Sequence, residues 1–154
     1  MLRFETSCGN FEITLDPKQS PHAAASLVVL AKSGYFDGTK FHRVVPGFVI
    51  QGGDPTGLGA GGPGYSTVDP PPRDAAYTRG VVAMAKTATD PPGTAGSQFF
   101  VVTAEKASLP PDYAIVGEVT GGYETVERIE ALGDVQTEEP SQPVVVDRVF
   151  VRTS

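Results

Sequence analysis

The chain of 154 residues contains no tryptophan, one cysteine and two histidines. A single cysteine cannot form a disulfide within the chain, so the fold must be stable without a covalent cross-link. Cys8, His22 and His42 also do not provide a ligand set with the spacing of a structural zinc site. We therefore expect no bound metal.

A long hydrophobic run and an excess of positive charge are also missing. No apolar stretch near the N-terminus resembles the core of a signal peptide or a membrane span, so a cytoplasmic location is expected. The 12 basic and 18 acidic residues give a formal charge of −6. This balance disfavours binding to nucleic acid and to anionic membranes, because both need basic surfaces.

Two catalytic patterns are absent as well. The glycines between residues 52 and 64 are not followed by the Lys-Ser or Lys-Thr pair of a Walker phosphate loop, so we interpret them as a shaped loop beside a groove. Ser97 has no histidine and acid at the offsets of a hydrolase triad. His22 is predicted to be a surface residue, and His42 is predicted to make a local hydrogen bond rather than to act as a base.

What remains is mostly a pattern of strands and turns. Apolar residues alternate in residues 2–6 and 11–15 around a turn, which predicts an opening β-hairpin. Two helices are expected. Ser20 and Pro21 begin the first, which ends at Gly34, and the second covers residues 123–132. Further strands are predicted at residues 41–45, 48–51, 81–85, 98–102 and 144–151.

These elements predict a mainly β fold in one domain, residues 1–154. The glycine- and proline-rich stretch 52–73 has an alternative interpretation as a linker between two domains. That alternative leaves an N-terminal piece of about 50 residues, which is marginal as an independent fold. We expect a closed eight-stranded antiparallel β-barrel capped by two α-helices, because closure removes exposed strand edges.

The most informative stretch is FHRVVPGFVIQGGD, residues 41–54, which places a cation, two phenyl rings and an amide in a strand-like apolar run. Alternation predicts that Phe41 and Arg43 share one face of the first strand. The turn at residues 46–47 then brings Phe48 and Gln51 back beside Arg43. Such a slot suits a small apolar ligand that carries an amide bond. An ordinary half-buried hairpin is the alternative interpretation.

A second segment, GVVAMAKTATDPPGTAGSQFFVVT at residues 80–103, again pairs an amide with aromatic rings. With SGYFDGTKFHRVVPGFVIQGGD, GAGGPGY and YAIVGEV, it resembles the cyclophilin family of peptidyl-prolyl cis-trans isomerases in motif order and spacing. The resemblance implies an eight-stranded barrel with two helices. It also implies catalysis of rotation about Xaa-Pro bonds without a cofactor.

This chemistry needs neither a nucleophile nor a metal. Rotation about an Xaa-Pro bond breaks no covalent bond, and its barrier of about 18–20 kcal/mol is amide resonance. In the twisted transition state the prolyl nitrogen gains a lone pair, which a fixed N–H donor can stabilise. Arg43 suits this role because a guanidinium stays protonated and presents its donors in a rigid fork.

The resemblance assigns the other roles. Phe48, with Arg43 and Gln51, belongs to the catalytic set, and Gln51 fixes the substrate carbonyl and orients Arg43. The apolar walls that hold the proline ring are assigned to Phe48, Val49, Phe100 and Leu109. The residues that flank the bound peptide and close the pocket are Ala85, Lys86, Gln98 and Tyr113, with the backbone of Lys86 as the hydrogen-bonding group.

The sequence departs from the family at several of these positions. Many members carry a tryptophan close to the position of Leu109, an asparagine at Lys86 and a methionine at Val49. We expect catalysis to survive and cyclosporin-type macrocycles to bind only weakly.

The expected partners are Xaa-Pro segments of unfolded or flexible proteins, and the expected oligomeric state is a monomer. A non-catalytic proline-peptide binding module or chaperone is the competing interpretation. The presence of Arg43 favours the enzyme, because a pure binder does not require that donor. A small β-barrel ligand carrier fits less well, since a proline-sized pocket does not suit a bulky ligand.

Overall fold

Ten strands and two helices follow one another along residues 1–153, the part of the chain that the computed structural model describes. In chain order they are β1 (Leu2–Thr6), β2 (Gly9–Leu15), α1 (Pro21–Lys32), β3 (Arg43–Val45), β4 (Val49–Gly52), β5 (Thr67–Val68), β6 (Val81–Met84), β7 (Thr94–Ala95), β8 (Phe99–Val102), β9 (Ile115–Gly121), α2 (Tyr123–Glu130) and β10 (Val146–Val151). The predicted opening hairpin is confirmed by the β1–β2 pairing. The short strands β5 and β7 are absent from the strands predicted from the sequence.

Eight strands form one antiparallel sheet in the order β10-β1-β2-β9-β6-β8-β4-β3, and β5 pairs with β7 separately. The mainly β architecture and the eight-stranded sheet are therefore confirmed. The predicted closure of the barrel is wrong, because no strand pairing within residues 1–153 joins β3 to β10. The sheet remains open between these two strands.

A loop along the outer edge of β3 explains why the sheet does not close. β3 is three residues long, and the backbone N–H of Val44 donates to the carbonyl of Glu138 at 2.9 Å instead of to β10. The segments that precede β3 and β10 do meet, through the bridge between Lys40 and Val145 and the hydrogen bond from the N–H of Phe41 to the carbonyl of Val144. The loop that carries Glu138 thus occupies the edge that closure would need.

The first helix begins at Pro21 as predicted, but Ser20 does not cap it with its side chain. The Ser20 hydroxyl donates to the carbonyl of Ile115 at 2.6 Å. Asp69 takes over the capping role, because its carboxylate accepts the backbone N–H of Ala23 at 2.8 Å and that of His22 at 3.4 Å. The His22 side chain is 70% exposed, which confirms a surface position.

The second helix ends at Glu130, two residues before its predicted end at residue 132. Its buried residues Val126 and Ile129 join the same apolar core as Leu27 and Leu30 of α1. Among the residues described, neither helix combines the length and apolar character needed to cross a membrane. The single-domain organisation of residues 1–154 stays a prediction.

The two faces of the sheet contribute to different apolar clusters. In β8, Phe99 and Val101 pack into the main core, whereas Phe100 and Val102 pack into a second cluster on the opposite face. This is the period-two alternation of a strand. The predicted shared face for Phe41 and Arg43 is wrong, because β3 begins only at Arg43 and Phe41 is fully buried in the main core.

Candidate functional site

One pocket of about 290 Å³ collects nine of the ten predicted site residues on the face of the second cluster. Its lining consists of Arg43, Phe48, Val49, Gln51, Ala85, Lys86, Phe100, Leu109 and Tyr113. The tenth residue, Gln98, lines an adjoining pocket of about 230 Å³ that shares Gln51, Ala85 and Lys86. Because they share these three residues, the two pockets adjoin, and together they are called the groove.

A larger groove of about 570 Å³ lies elsewhere, with Asp16, Asp74 and Glu118 among its lining residues. It contains no cation and none of the predicted site residues. Volume alone therefore does not identify the site, and the chemistry of the lining favours the smaller pocket.

Cross-strand pairing explains how the polar and apolar parts of the pocket meet. Arg43 of β3 pairs with Gln51 of β4, Gln51 pairs with Phe100 of β8, and Phe100 pairs with Ala83 of β6. Residues directly opposite on neighbouring strands point to the same face. The guanidinium, the amide and the phenyl ring therefore stand in one row across the sheet.

Two hydrogen bonds and one ring contact fix the Arg43 guanidinium. Its Nε donates to Glu138 Oε1 at 3.0 Å, and its Nη1 donates to Gln51 Oε1 at 3.3 Å. Its Cζ lies 5.8 Å from the centre of the Phe48 ring. Glu138 is absent from the residues predicted from sequence, since it is 95 positions away in a loop with no motif to mark it.

The amide of Gln51 continues this network toward the glycine loop. Its Nε2 donates to Gln98 Oε1 at 3.1 Å. The Nε2 of Gln98 then donates to the carbonyls of Gly59 and Gly61 at 2.9 and 3.0 Å. The position of Gln51 beside Arg43 thus depends, through Gln98, on the shape of the glycine loop.

Asp54 holds that loop in shape. Its fully buried carboxylate accepts hydrogen bonds from the backbone and hydroxyl of Thr56, both at 2.8 Å, and from the backbone N–H groups of Gly59 and Gly61 at 2.6 and 3.1 Å. A Cβ at Gly61 would collide with the carboxylate. Burial alone would raise the pKa of Asp54, but these hydrogen bonds outweigh it and lower the pKa to about 2.

Replacement of Asp54 by asparagine is therefore expected to destabilise the fold at neutral pH. The pKa of Asp54 is lower in the folded state than the ordinary 3.8, so its contribution is complete above pH 4 and is lost as the pH falls toward 2. The shift corresponds to about 2 kcal/mol at pH 7, of which about 1 kcal/mol is lost at pH 3. Urea unfolding at pH 7 and at pH 3 measures the free energy of unfolding of the wild type and the variant.

The asparagine variant should lose less stability than the wild type between pH 7 and pH 3. Asp147→Asn is the matched control, because Asp147 is an exposed aspartate in β10. Asp147→Asn should lose as much stability between pH 7 and pH 3 as the wild type does. Equal acid sensitivity of the wild type and Asp54→Asn would contradict the role assigned to this carboxylate.

The apolar wall of the pocket is also part of the second cluster. Val49 and Phe100 are 2% and 5% exposed, whereas Phe48, Leu109 and Tyr113 are partly buried. The rings of Phe100 and Tyr113 meet edge to face with centres 5.5 Å apart. Pocket lining and core packing are therefore not alternatives for Phe100, since its ring serves both.

The side chain of Lys86 is buried beneath the groove floor. It is 1% exposed, forms an ion pair with Asp112 and donates to the carbonyls of Thr87 and Asp90, both at 3.1 Å. Its Nζ lies 5.7 Å from the centre of the Tyr113 ring. The ammonium thereby ties residues 86–90 to the segment that carries Tyr113. The exposed part of Lys86 is its main chain, which faces the groove.

His42 is partly buried in the segment that leads into β3. Its Nδ1 is buried with no hydrogen-bond partner in the structure, so the expected local hydrogen bond is not formed by that atom. Burial lowers the pKa of His42, although the Asp54 charge opposes the shift. The imidazole is therefore neutral near pH 7. Within residues 1–153 no three histidine, cysteine or acidic side chains are grouped to hold a metal ion.

Comparisons with known proteins point to one family. The family model described as "Cyclophilin type peptidyl-prolyl cis-trans isomerase/CLD" matches residues 1–151. A peptidyl-prolyl cis-trans isomerase of Arabidopsis thaliana is 38% identical over 147 residues, covering 93% of this chain and 86% of the relative. Peptidyl-prolyl cis-trans isomerase B of Streptomyces anulatus is 38% identical over 168 residues, covering 97% and 94%.

A solved structure shows the same fold. The cyclophilin-type peptidyl-prolyl cis-trans isomerase of Cryptosporidium parvum, crystallised in the presence of the dipeptide Ala-Pro, superposes with a TM-score of 0.90 at 32% identity and covers 99% of both chains. The family match spans nearly the whole chain, and the sheet carries the polar and apolar groups described above on one face. The chain belongs to the cyclophilin-type peptidyl-prolyl cis-trans isomerase family.

Proposed function

We propose that this peptidyl-prolyl cis-trans isomerase uses Arg43 as the donor that stabilises the twisted transition state of an Xaa-Pro bond. The proposal rests on which nitrogens of the Arg43 guanidinium are already hydrogen-bonded. Nε and Nη1 are held by Glu138 and Gln51, while Nη2 has no acceptor among residues 1–153. One nitrogen of a fixed fork therefore remains available on a residue that lines the pocket.

The catalytic effect comes from a difference between two states of the substrate. In the planar ground state the prolyl nitrogen shares its lone pair with the carbonyl, and it becomes a hydrogen-bond acceptor only when the bond twists. A donor at that nitrogen therefore favours the transition state over the substrate. Each 1.36 kcal/mol of such preference gives about a tenfold gain in rate. A charge-assisted bond in a site that excludes water is strong enough to supply this.

The remaining site residues hold the peptide on either side of the rotating bond. The proline ring enters the apolar pocket formed by Phe48, Val49, Phe100 and Leu109, and Tyr113 closes its far wall. The residue before proline lies toward Gln51, whose amide binds the carbonyl that must turn. The backbone of Lys86 and the adjoining pocket at Ala85 and Gln98 receive the preceding residues in an extended conformation. The pocket thus anchors the proline ring while the residue before it turns.

The proposed substrates are Xaa-Pro segments of unfolded or flexible proteins. The related Cryptosporidium parvum structure was obtained in the presence of Ala-Pro, and the pocket described here, at about 290 Å³, has room for a proline ring. Exchange spectroscopy on an Xaa-Pro peptide tests the proposal. Cis/trans exchange accelerated by catalytic amounts of protein is expected. Binding without acceleration would instead select the non-catalytic module or chaperone.

Cyclosporin-type macrocycles are expected to inhibit this protein more weakly than they inhibit family members with a tryptophan in the groove. Here the rim is formed by exposed Ser108 and partly buried Leu109, which offer less apolar area than an indole and no N–H donor. Loss of such a contact is worth roughly ten- to a hundredfold in affinity. Inhibition titrations of the wild type and Leu109→Trp measure it, with tighter inhibition of the variant expected.

The matched control is Leu58→Trp, which adds an indole to an exposed position of the glycine loop outside the pocket lining. It should leave inhibition unchanged. Tight inhibition of the wild type with no gain in Leu109→Trp would contradict the explanation.

We further propose a monomer in the cytoplasm, and sedimentation at micromolar concentration tests the oligomeric state.

A further inference from the structure

We infer that Glu138 is a positioning residue for the Arg43 guanidinium, and that it directs the free Nη2 of the guanidinium toward the substrate. The inference rests on the proposed donor role of Arg43 and adds a residue from a distant loop to the site. It starts from the ion pair in which Arg43 Nε donates to Glu138 Oε1 at 3.0 Å.

Both backbone polar groups of Glu138 are hydrogen-bonded, one of them to β3. Its N–H donates to the carbonyl of Asp134 at 2.7 Å, and its carbonyl accepts the N–H of Val44 at 2.9 Å. Val44 is the residue next to Arg43. The carboxylate and the guanidinium are therefore carried by two backbone segments that are hydrogen-bonded to each other, so their relative position is set by the fold.

Glu138 also adopts a backbone conformation that is unusual for its type. Its φ is +60°, and no other non-glycine residue among residues 1–153 has a positive φ. Glutamate carries a Cβ and has no local side-chain hydrogen bond that favours the left-handed region. A strained residue of this kind persists when the surrounding structure holds it in place, and such residues are concentrated at functional sites.

Stability does not account for this arrangement. The two side chains are 36% and 45% exposed, and ion pairs at such exposure contribute little to folding. The strained backbone conformation offsets part of that small gain. A glycine at position 138 would relieve the strain and keep the backbone bond to Val44. The glutamate side chain is therefore better explained by what it does to Arg43.

Glu138 limits the orientation of the Arg43 guanidinium. Glu138 holds Nε from one side and Gln51 holds Nη1 from another. With two of its three nitrogens fixed, the planar group cannot turn about its long axis, and Nη2 keeps one direction. Loss of Glu138 leaves the 3.3 Å hydrogen bond that Nη1 donates to Gln51 and the contact with the Phe48 ring, neither of which holds Nε. The donor then samples orientations that do not meet the prolyl nitrogen.

The test compares Glu138→Gln with Glu139→Gln in catalysed exchange of an Xaa-Pro peptide. Both variants remove one negative charge from the same loop, but Glu139 is exposed and forms no ion pair among residues 1–153. Glu138→Gln is expected to lower kcat/KM about three- to fivefold, mainly through kcat, and Glu139→Gln to leave it unchanged. The Nε–Hε proton of Arg43, followed by NMR, should exchange faster with water only in Glu138→Gln.

Two further variants separate positioning from a general effect on the fold. Glu138→Gly should melt at the same or a higher temperature than the wild type, because glycine adopts the positive φ without strain, and still lose activity. In an Arg43→Ala background, Glu138→Gln should have no additional effect, because it acts through Arg43.

Equal activities of Glu138→Gln and Glu139→Gln would overturn the inference while leaving the donor role of Arg43 in place. So would the same loss from Glu138→Gln in the presence and absence of Arg43, since Glu138 would then act by another route. If Arg43→Ala alone retained full activity, the proposed donor role itself would fail, and the inference would fail with it.

Discussion

Replacement of Arg43 by alanine is expected to lower kcat/KM for Xaa-Pro isomerisation at least tenfold while the protein remains folded. The guanidinium is the charged donor at the pocket, and loss of an interaction made only in the transition state lowers kcat and kcat/KM together. Stability should change little, because the Arg43 side chain is 36% exposed and contributes no apolar surface to the main core.

Arg43→Lys should restore little of the lost activity. An ammonium is a point charge without the fork that bonds Glu138 and Gln51 simultaneously, so it cannot be held in the same direction. Arg148→Ala is the matched control, because Arg148 is an exposed arginine of β10 that pairs with Glu5 outside the pocket. Near-full activity of Arg43→Ala would show that the apolar pocket alone accounts for catalysis.

The sequence alone predicted the strands well because their signal is local. Alternation in residues 2–6 and 11–15 needs only neighbouring side chains to be read, and the pairing of Phe4 with Phe11 follows from the short turn between them. The open edge of the sheet has no such signal. It depends on the carbonyl of Glu138 reaching the N–H of Val44, which is a contact between distant segments of the chain.

The site divides in the same way. Arg43, Gln51 and Phe100 were predicted because they lie in recognisable strings, and the sheet places them in one row. The carboxylates that pair with Arg43 and Lys86 were not predicted. Glu138 and Asp112 are two of 18 acidic residues, and nothing in their local sequence distinguishes them from solvent-exposed carboxylates. Only the folded structure shows which carboxylate faces which cation.

The two faces of β8 allow the contribution of the pocket to be separated from that of the core. Phe99 and Phe100 are adjacent phenylalanines with 2% and 5% exposure, and their rings point to opposite sides of the sheet. Phe99 packs against Phe4, Phe36 and Phe41 in the main core. Phe100 packs against Tyr113 and lines the groove. Truncation of either ring leaves a cavity, but only one of the two cavities lies at the site.

Phe100→Ala is therefore expected to lose about 3 kcal/mol of unfolding free energy and to bind Xaa-Pro peptides about tenfold more weakly, the worth of roughly 1.4 kcal/mol of apolar contact. Phe99→Ala should lose at least as much stability but keep the peptide affinity of the wild type. Urea unfolding and peptide titration of both variants, at a temperature where both are folded, measure the two effects separately. Unchanged unfolding and unchanged affinity in Phe100→Ala would show that its ring lines neither the pocket nor the second cluster. Equal loss of affinity in both variants would mean that the pocket depends on the main core as a whole, and not on the ring that forms its wall.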